Sequence, residues 1–308
     1  MGRKRIVYKC EFIDSCAMHG FNEIEVRATE IKSAMRYWWR AISLFSKKEE
    51  LLEKEQELFG STKQISPFTI YAKQRDEKYF IVALEEDKEG VEIENYAALF
   101  ELACILGGFG RGVRREFGSC FILEKLEIER DGNQNVEINR YKLKNDKYIA
   151  DRILELIEKI QQWSLKGKSM EITEGINGDN YKVIKSKKCS NRYPSIEEIW
   201  IGEKKVKIKD LINRVKDAKK ELKIDKRYQY NFGNGKYASP VYASSYPVLN
   251  KRSELDSSLV IPIIILLSNT SLNKLNKDIK DKNIKKEKKS QYENYKTEFR
   301  EKVFPRKK

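Results

Sequence analysis

Over the first 130 residues the apolar pattern changes period in a fixed order, and that order restricts the chain to few folds. Residues 5–14 (Arg-Ile-Val-Tyr-Lys-Cys-Glu-Phe-Ile-Asp) are rich in β-formers and read as a strand. Residues 31–46 carry apolar side chains at helical spacing, and a second, charged helical stretch runs from Glu49 to Leu58 and stops at Gly60. Ser66–Gln74 and Lys78–Glu85 read as strands, Tyr96–Leu106 as an apolar helix ended by Gly107-Gly108, and Ser119–Glu129 as an alternating strand. The order β-α-β-β-α-β is the split βαβ arrangement of ferredoxin-like, RRM-like units.

The second half repeats part of that order. Ile149–Trp163 is an amphipathic helix placed to link two units, and Tyr181–Lys185 is a short strand. Lys207–Leu222 reads as a helix, Ser239–Leu249 and Ser258–Leu267 as strands, and Lys285–Val303 as a closing helix. The expected fold class is therefore α+β, with two ferredoxin-like domains, the second degraded. Residues 1–135 form the first, and residues 136–308 the second, with a helical linker and a basic C-terminal helix.

Composition narrows the partners. Lys and Arg number 62 against 47 Asp and Glu, a net charge of +15, while 40% apolar and 11% aromatic residues suffice for a core. An excess of that size on a folded chain suits a polyanion such as nucleic acid, although a lysine-rich surface accounts for it too. Residues 270–308 hold 14 Lys/Arg and 6 Asp/Glu, and read either as a solvated basic helix or as an RNA-facing arm. The longest apolar run, Leu259–Leu267, has nine residues, short of the roughly 20 a membrane-spanning helix needs. With no apolar signal core near the N-terminus, the chain is expected to be cytoplasmic. The five cysteines are scattered without a C-x-x-C pair, and His19 is the single histidine. No metal and no small-molecule cofactor is expected from that set.

Two stretches carry chemistry. Between Glu25 and Ile42, Ile31, Ala34, Met35, Trp38 and Ile42 fall on one helical side, a core face. Lys32, Arg36 and Arg40, four residues apart, line the neighbouring face, and Trp39 projects between that row and the core. A cationic row can hold phosphates and an indole can stack on a base; the same row can also be a solvated face, or pair with Glu25 and Glu30. The second stretch, Gly107-Gly-Phe-Gly-Arg-Gly-Val-Arg-Arg-Glu-Phe-Gly-Ser119, packs five glycines and three arginines into thirteen residues. Gly108 and Gly110 permit close backbone approach, and Arg111, Arg114 and Arg115 supply forked phosphate donors. It follows a helix and lacks G-K-[ST], so it is neither a dinucleotide fingerprint nor a P-loop.

These stretches, with Glu55-Gln-Glu-Leu-Phe-Gly-Ser61 between them, resemble the RAMP superfamily of CRISPR systems, and within it the first-subunit family of the type III-B Cmr effector complex. That family's pattern looks like I-R-x-x-S-I-K-G-x-x-R-x-W-W-R, then E-x-x-L-F-G-S, then G-G-x-G-x-R-x-R-x-G-F-G-S. Here the first is met by Val26-Arg27, Ile31-Lys32, Arg36 and Trp38-Trp39-Arg40, the second by Glu55 and Leu58–Ser61, the third by Gly107-Gly108, Gly110, Arg114-Arg115 and Phe117-Gly118-Ser119. Glu30, Ser33 and Glu116 depart from it, and Asp14–Gly20 lacks the family's Thr-Pro. Later in the chain, Gly235–Val241 is similar to the family's A-S-P strand entry.

The resemblance implies two ferredoxin-like domains and a place in a crRNA-guided complex, near the crRNA 3′ end. Its partners would be crRNA, target RNA and other Cmr/RAMP subunits, with no membrane contact. It implies a non-catalytic chain whose RNA-binding residues are Arg27, Lys32, Arg36, Trp39, Arg40, Gly108, Gly110, Arg111, Arg114 and Arg115. The alternative is a metal-independent RAMP endoribonuclease, for which His19 with Lys32 or Tyr37 would supply acid–base chemistry, or Asp14 a metal-linked carboxylate.

Overall fold

A computed structural model describes residues 3–12, 25–43, 45, 47–76, 78–88, 90–109, 119–131, 134–142, 149–164, 170–173, 181–186, 195–224, 241–249, 255–268 and 282–305. The first sheet is built from β1 (Arg3–Phe12), β2 (Phe68–Gln74), β3 (Tyr79–Glu86), β4 (Cys120–Asp131) and β5 (Gln134–Lys142), in the order β2-β3-β1-β4-β5, every pair antiparallel. Helices α1 (Ala28–Ile42), α2 (Lys48–Phe59) and α3 (Ile93–Leu106) come from its connections. The sequence read α1 to residue 46; it ends at Ile42, where Ser43 takes an extended conformation and its hydroxyl donates to the Trp39 carbonyl at 2.6 Å. β5 spans the expected boundary at 135 and is laddered to β4, so the first sheet runs to Lys142.

After α4 (Ile149–Ser164) come β6 (Met170–Thr173), β7 (Tyr181–Ser186), β8 (Ile196–Gly202), β9 (Val206–Lys207), α5 (Ile208–Ile224), β10 (Val241–Leu249), β11 (Leu255–Leu267) and α6 (Lys282–Val303). The second sheet has the order β10-β11-β8-β7-β6, again antiparallel, with β9 paired to β11. Sequence reasoning missed β5 in the first sheet and β6, β8 and β9 in the second. In β8, Ile-Glu-Glu-Ile-Trp-Ile-Gly has adjacent acids at its start, which mask the alternation, yet Ile199, Trp200 and Ile201 are all buried.

Two cores hold these layers together. One lies between the sheets: Ile6, Tyr8, Cys10 and Phe12 of β1 and Phe80, Val82 and Leu84 of β3 meet α1, α3 and α4, and these helices also meet Ile199, Ile201, Ile263 and Ile265 of the second sheet. Tyr242 joins the sheets through ring contacts with Tyr37 and Trp38, and the Ser244 hydroxyl donates to the Ile105 carbonyl at 2.7 Å. The other core covers the far face of the second sheet, where Trp200, Ile264 and Leu266 pack on Leu211 and Val215 of α5 and on Tyr295, Phe299 and Val303 of α6. Between Tyr292 and Phe304 the basic C-terminal segment packs its aromatic and apolar side chains on the second sheet. Cys10, Cys104 and Cys120 are free and buried, and no helix among the described residues is long and apolar enough to cross a membrane.

Candidate nucleic-acid interface

The described parts of the three motif stretches meet at α1. Ile31, Met35, Trp38 and Ile42 are buried as their spacing requires, and Trp39 joins them. Trp39 was expected at the border of the cationic row; it is fully buried instead, against Phe45 and Phe59. Its indole N–H donates to Ser164 Oγ at the end of α4 at 3.0 Å. Burial of so large a ring with its one polar atom satisfied makes it core, so it offers no stacking face.

The cationic row is neither bare nor paired with Glu30. Arg40 holds Glu55 through Nε at 2.7 Å and Nη2 at 2.9 Å. One turn earlier, Arg36 Nη2 donates to the carbonyls of Phe59 at 3.0 Å and Gly60 at 2.7 Å, with its guanidinium 5.5 Å from the Phe59 ring centroid. Those carbonyls end α2, which has no basic residue in its own last turn, so Arg36 supplies the donors and positive charge that the helix end requires. Lys32 Nζ donates to Ser66 Oγ at 2.7 Å and lies 5.0 Å from the Phe68 ring centroid. Burial holds its ammonium below the usual lysine range, and the adjacent Arg36 pushes the same way. Arg27 pairs with Glu25 at 3.2 Å at the start of the helix.

The glycines have equally local reasons. Gly60 sits at φ +78°, and a Cβ there would lie 2.7 Å from the Ser66 amide nitrogen, so the chain can fold back under Arg36 and Lys32 only with glycine. Gly107 lets the end of α3 press on Trp38, whose Cζ2 would be 2.8 Å from an added Cβ. Gly108 follows at φ +68°, and Phe109 stacks on Phe100 with centroids 5.8 Å apart. Gly110, Arg111, Arg114 and Arg115 lie outside the described residues, as do Asp14 and His19.

Two features escaped the sequence reading. Glu101 of α3 is a buried hub that accepts from Tyr8 at 3.0 Å and from Arg152 at 2.6 Å, with Lys125 at 3.3 Å. The face of the first sheet turned away from the helices carries Arg5, Lys9, Tyr71, Lys73 and Tyr79. Strand alternation encodes that face, since these residues occupy the positions between the buried ones.

No protein-family model matches the chain, and no curated protein matches it by sequence. Solved structures do match. A chain of the type III-B Cmr-beta complex bound to cognate target RNA and AMPPnP, in the presence of ssDNA, aligns over 98% of this chain and 99% of that one, at 12% identity and a TM-score of 0.52. The fold is shared with a subunit of a type III-B Cmr complex. A chain of Cmr-beta bound to cognate target RNA aligns over 87% of this chain and 95% of that one, at 10% identity and a TM-score of 0.50. Cmr1 from Pyrococcus furiosus, in its apo form, aligns over 85% of this chain and 87% of that one, at 17% identity and a TM-score of 0.46.

Proposed function

We propose that this chain is a non-catalytic, RNA-binding subunit of a type III-B CRISPR effector complex, contacting the crRNA 3′ region and target RNA in antiviral defence. The observation that carries this reading is the end-to-end fold match to a chain of Cmr-beta. The packing of the described parts of the three motif stretches around α1 supports it: residues that carry the resemblance to the first-subunit family depend on one another physically. Glu55 answers Arg36 and Arg40, Gly60 admits Arg36, and Gly107 admits Trp38.

In this reading each sheet is a ferredoxin-like unit. The order β2-β3-β1-β4 supports that for the first, and β10-β11-β8-β7 supports it for the second, with β7 standing where β4 stands. Glu55, Arg36 and Arg40 hold helices together, leaving the phosphate-clamping role to Arg111, Arg114 and Arg115 with Gly108 and Gly110. The test is co-purification. A tagged chain recovered from cells with an active CRISPR array should bring down other Cmr subunits and short RNAs that share a repeat-derived 5′ segment. Recovery of the chain alone, or with RNA of mixed sequence, would overturn the assignment.

A further inference from the structure

We propose that the open face of the first sheet is a platform for single-stranded RNA, on which Tyr71 and Tyr79 stack with bases and Arg5, Lys9, Lys73 and Lys78 hold the backbone. The inference rests on the RNA-binding reading above and adds where the strand lies.

The register assembles the face. On β1, Arg5, Val7, Lys9 and Glu11 stand opposite Glu85, Ala83, Ile81 and Tyr79 of β3. Beyond β3, the pairs Thr69–Glu85, Tyr71–Ala83 and Lys73–Ile81 carry the same face onto β2, and on the other side Glu124, Leu126 and Ile128 of β4 stand opposite Lys9, Val7 and Arg5. Directly opposed residues project to one side of a sheet, so these form a single surface. Its centre is apolar, half-buried at Val7, Ile81 and Leu126 and buried at Ala83, and Glu11 is buried at one end; Tyr71 is 50% exposed and Lys9 and Lys73 are exposed.

Cations and rings are interleaved on it. The Arg5 guanidinium lies 5.3 Å from the Tyr71 centroid; Lys9 Nζ is 5.5 Å and Lys78 Nζ 5.8 Å from that of Tyr79. Lys78 also pairs with Glu11, and Arg5 with Glu85 at 3.9 Å. A cation beside an aromatic ring places a phosphate donor next to a stacking surface, the pairing that sequence-tolerant single-strand binders use. The four-stranded sheets of RRM domains hold bases on aromatic residues in the same way. A protein-binding surface would be depleted in lysine at its centre, whereas this one has Lys9 beside the apolar patch.

The test uses the full chain and a fluorescein-labelled oligouridine of about 15 nucleotides, long enough to cross one such domain. Tyr71→Ala should weaken binding about tenfold in fluorescence anisotropy, and Tyr71→Phe about twofold or less, because the ring keeps its stacking face. The pair Lys9→Ala and Lys73→Ala should lower the slope of log affinity against log salt by about 1.4, the value for two lost phosphate contacts on a single strand. With 4-thiouridine in the oligomer, crosslinks should map to β2 and β3. Unchanged binding by Tyr71→Ala, with crosslinks confined to residues 110–118, would overturn the platform while leaving the chain an RNA-binding subunit. A wild-type chain that binds no oligouridine at low salt would overturn both. A Tyr71→Ala chain that keeps its RNA affinity but loses a co-purifying protein would overturn the platform in favour of a subunit interface.

Discussion

The two sheets share one positional plan but face different surroundings. In β2-β3-β1-β4-β5 and β10-β11-β8-β7-β6, a hairpin flanks a central strand whose other neighbour begins a second hairpin. In the first sheet that neighbour is β4, downstream of the repeated β-α-β-β-α segment; in the second it is β7, upstream of it. The second sheet is covered on both faces, by α1, α3 and α4 on one side and α5 and α6 on the other. Among the described residues, the first is covered by helices on one face only. Burial on both sides demands a continuous apolar strand, which β11 supplies with Val260–Leu267, whereas β1 alternates buried Ile6, Tyr8 and Cys10 with Arg5, Val7 and Lys9, which are not buried. A strand's pattern therefore reports how many of its faces are occupied, and the alternating sheet is the one with surface to spare for a ligand.

That contrast is most directly broken by equal truncations on the two sheets. Ile264 is fully buried against α5 and α6, so Ile264→Ala should destabilise the chain by about 3 kcal/mol, within the range for emptying a packed site. Ile81, half-buried on the open face, should cost about 1 kcal/mol or less on the same change. Urea midpoints of the full-length variants measure both. Equal losses would mean that the first sheet is as covered as the second.

A second test compares the buried charges that tie each half. In the first half one carboxylate, Glu55, faces Arg36 and Arg40; in the second one ammonium, Lys296, faces Glu197 at 2.8 Å, Glu293 at 2.9 Å and Glu198 at 3.6 Å. Burial alone would push the Lys296 ammonium down, but Glu197 and then Glu198 outweigh it and hold it above the usual lysine range. Lys296→Met strands partly buried carboxylates and should cost about 2–3 kcal/mol. Glu55→Gln should cost less, about 1–2 kcal/mol, because the Arg40 side chain is 46% exposed and water takes up part of its charge. A double-mutant cycle of Glu55→Gln with Arg40→Ala isolates the pair; a coupling near zero would show that Arg40 serves as a surface charge after all.

Much of the first half was legible because local patterns and tertiary contacts agree there. The spacing of Ile31, Met35, Trp38 and Ile42 placed α1's core face, and the order of β1 to β4 followed from period alone, while β5 was missed. Trp39 was misplaced because helical spacing assigns a residue only an angle. Whether that angle meets water depends on α4 and Phe59, which lie far along the chain. The roles of Arg36 and Arg40 were hidden for the same reason: their partners sit on α2, across a turn rather than along α1. β8 was lost because its adjacent Glu197 and Glu198 and the buried run Ile199–Ile201 after them leave no alternation to detect.

The smallest expected effect is one the two cores should share. Each buries a tyrosine that donates to a carboxylate, Tyr8 to Glu101 at 3.0 Å and Tyr292 to Glu197 at 3.1 Å. Burial pushes both phenols well above their usual range, and the neighbouring glutamates add to the shift. In the unfolded chain a tyrosine ionises near pH 10, so above that value the unfolded state releases protons that the folded state retains. The contribution of each phenol is thus fully present below about pH 10 and is lost as the pH rises towards the folded value. At neutral pH, Tyr8→Phe should cost about 1 kcal/mol, since Glu101 keeps Arg152 and Lys125 when one donor is removed. As the pH is raised past about 10 the gap to the wild type should narrow and then reverse, because phenylalanine has no proton to lose. Tyr292→Phe should follow the same course, with Lys296 still on Glu197. Thermal melts across that window measure both. A gap that stays constant for Tyr8 while closing for Tyr292 would mean that water reaches the first core from its open sheet, and that only the doubly covered sheet keeps its phenol dry.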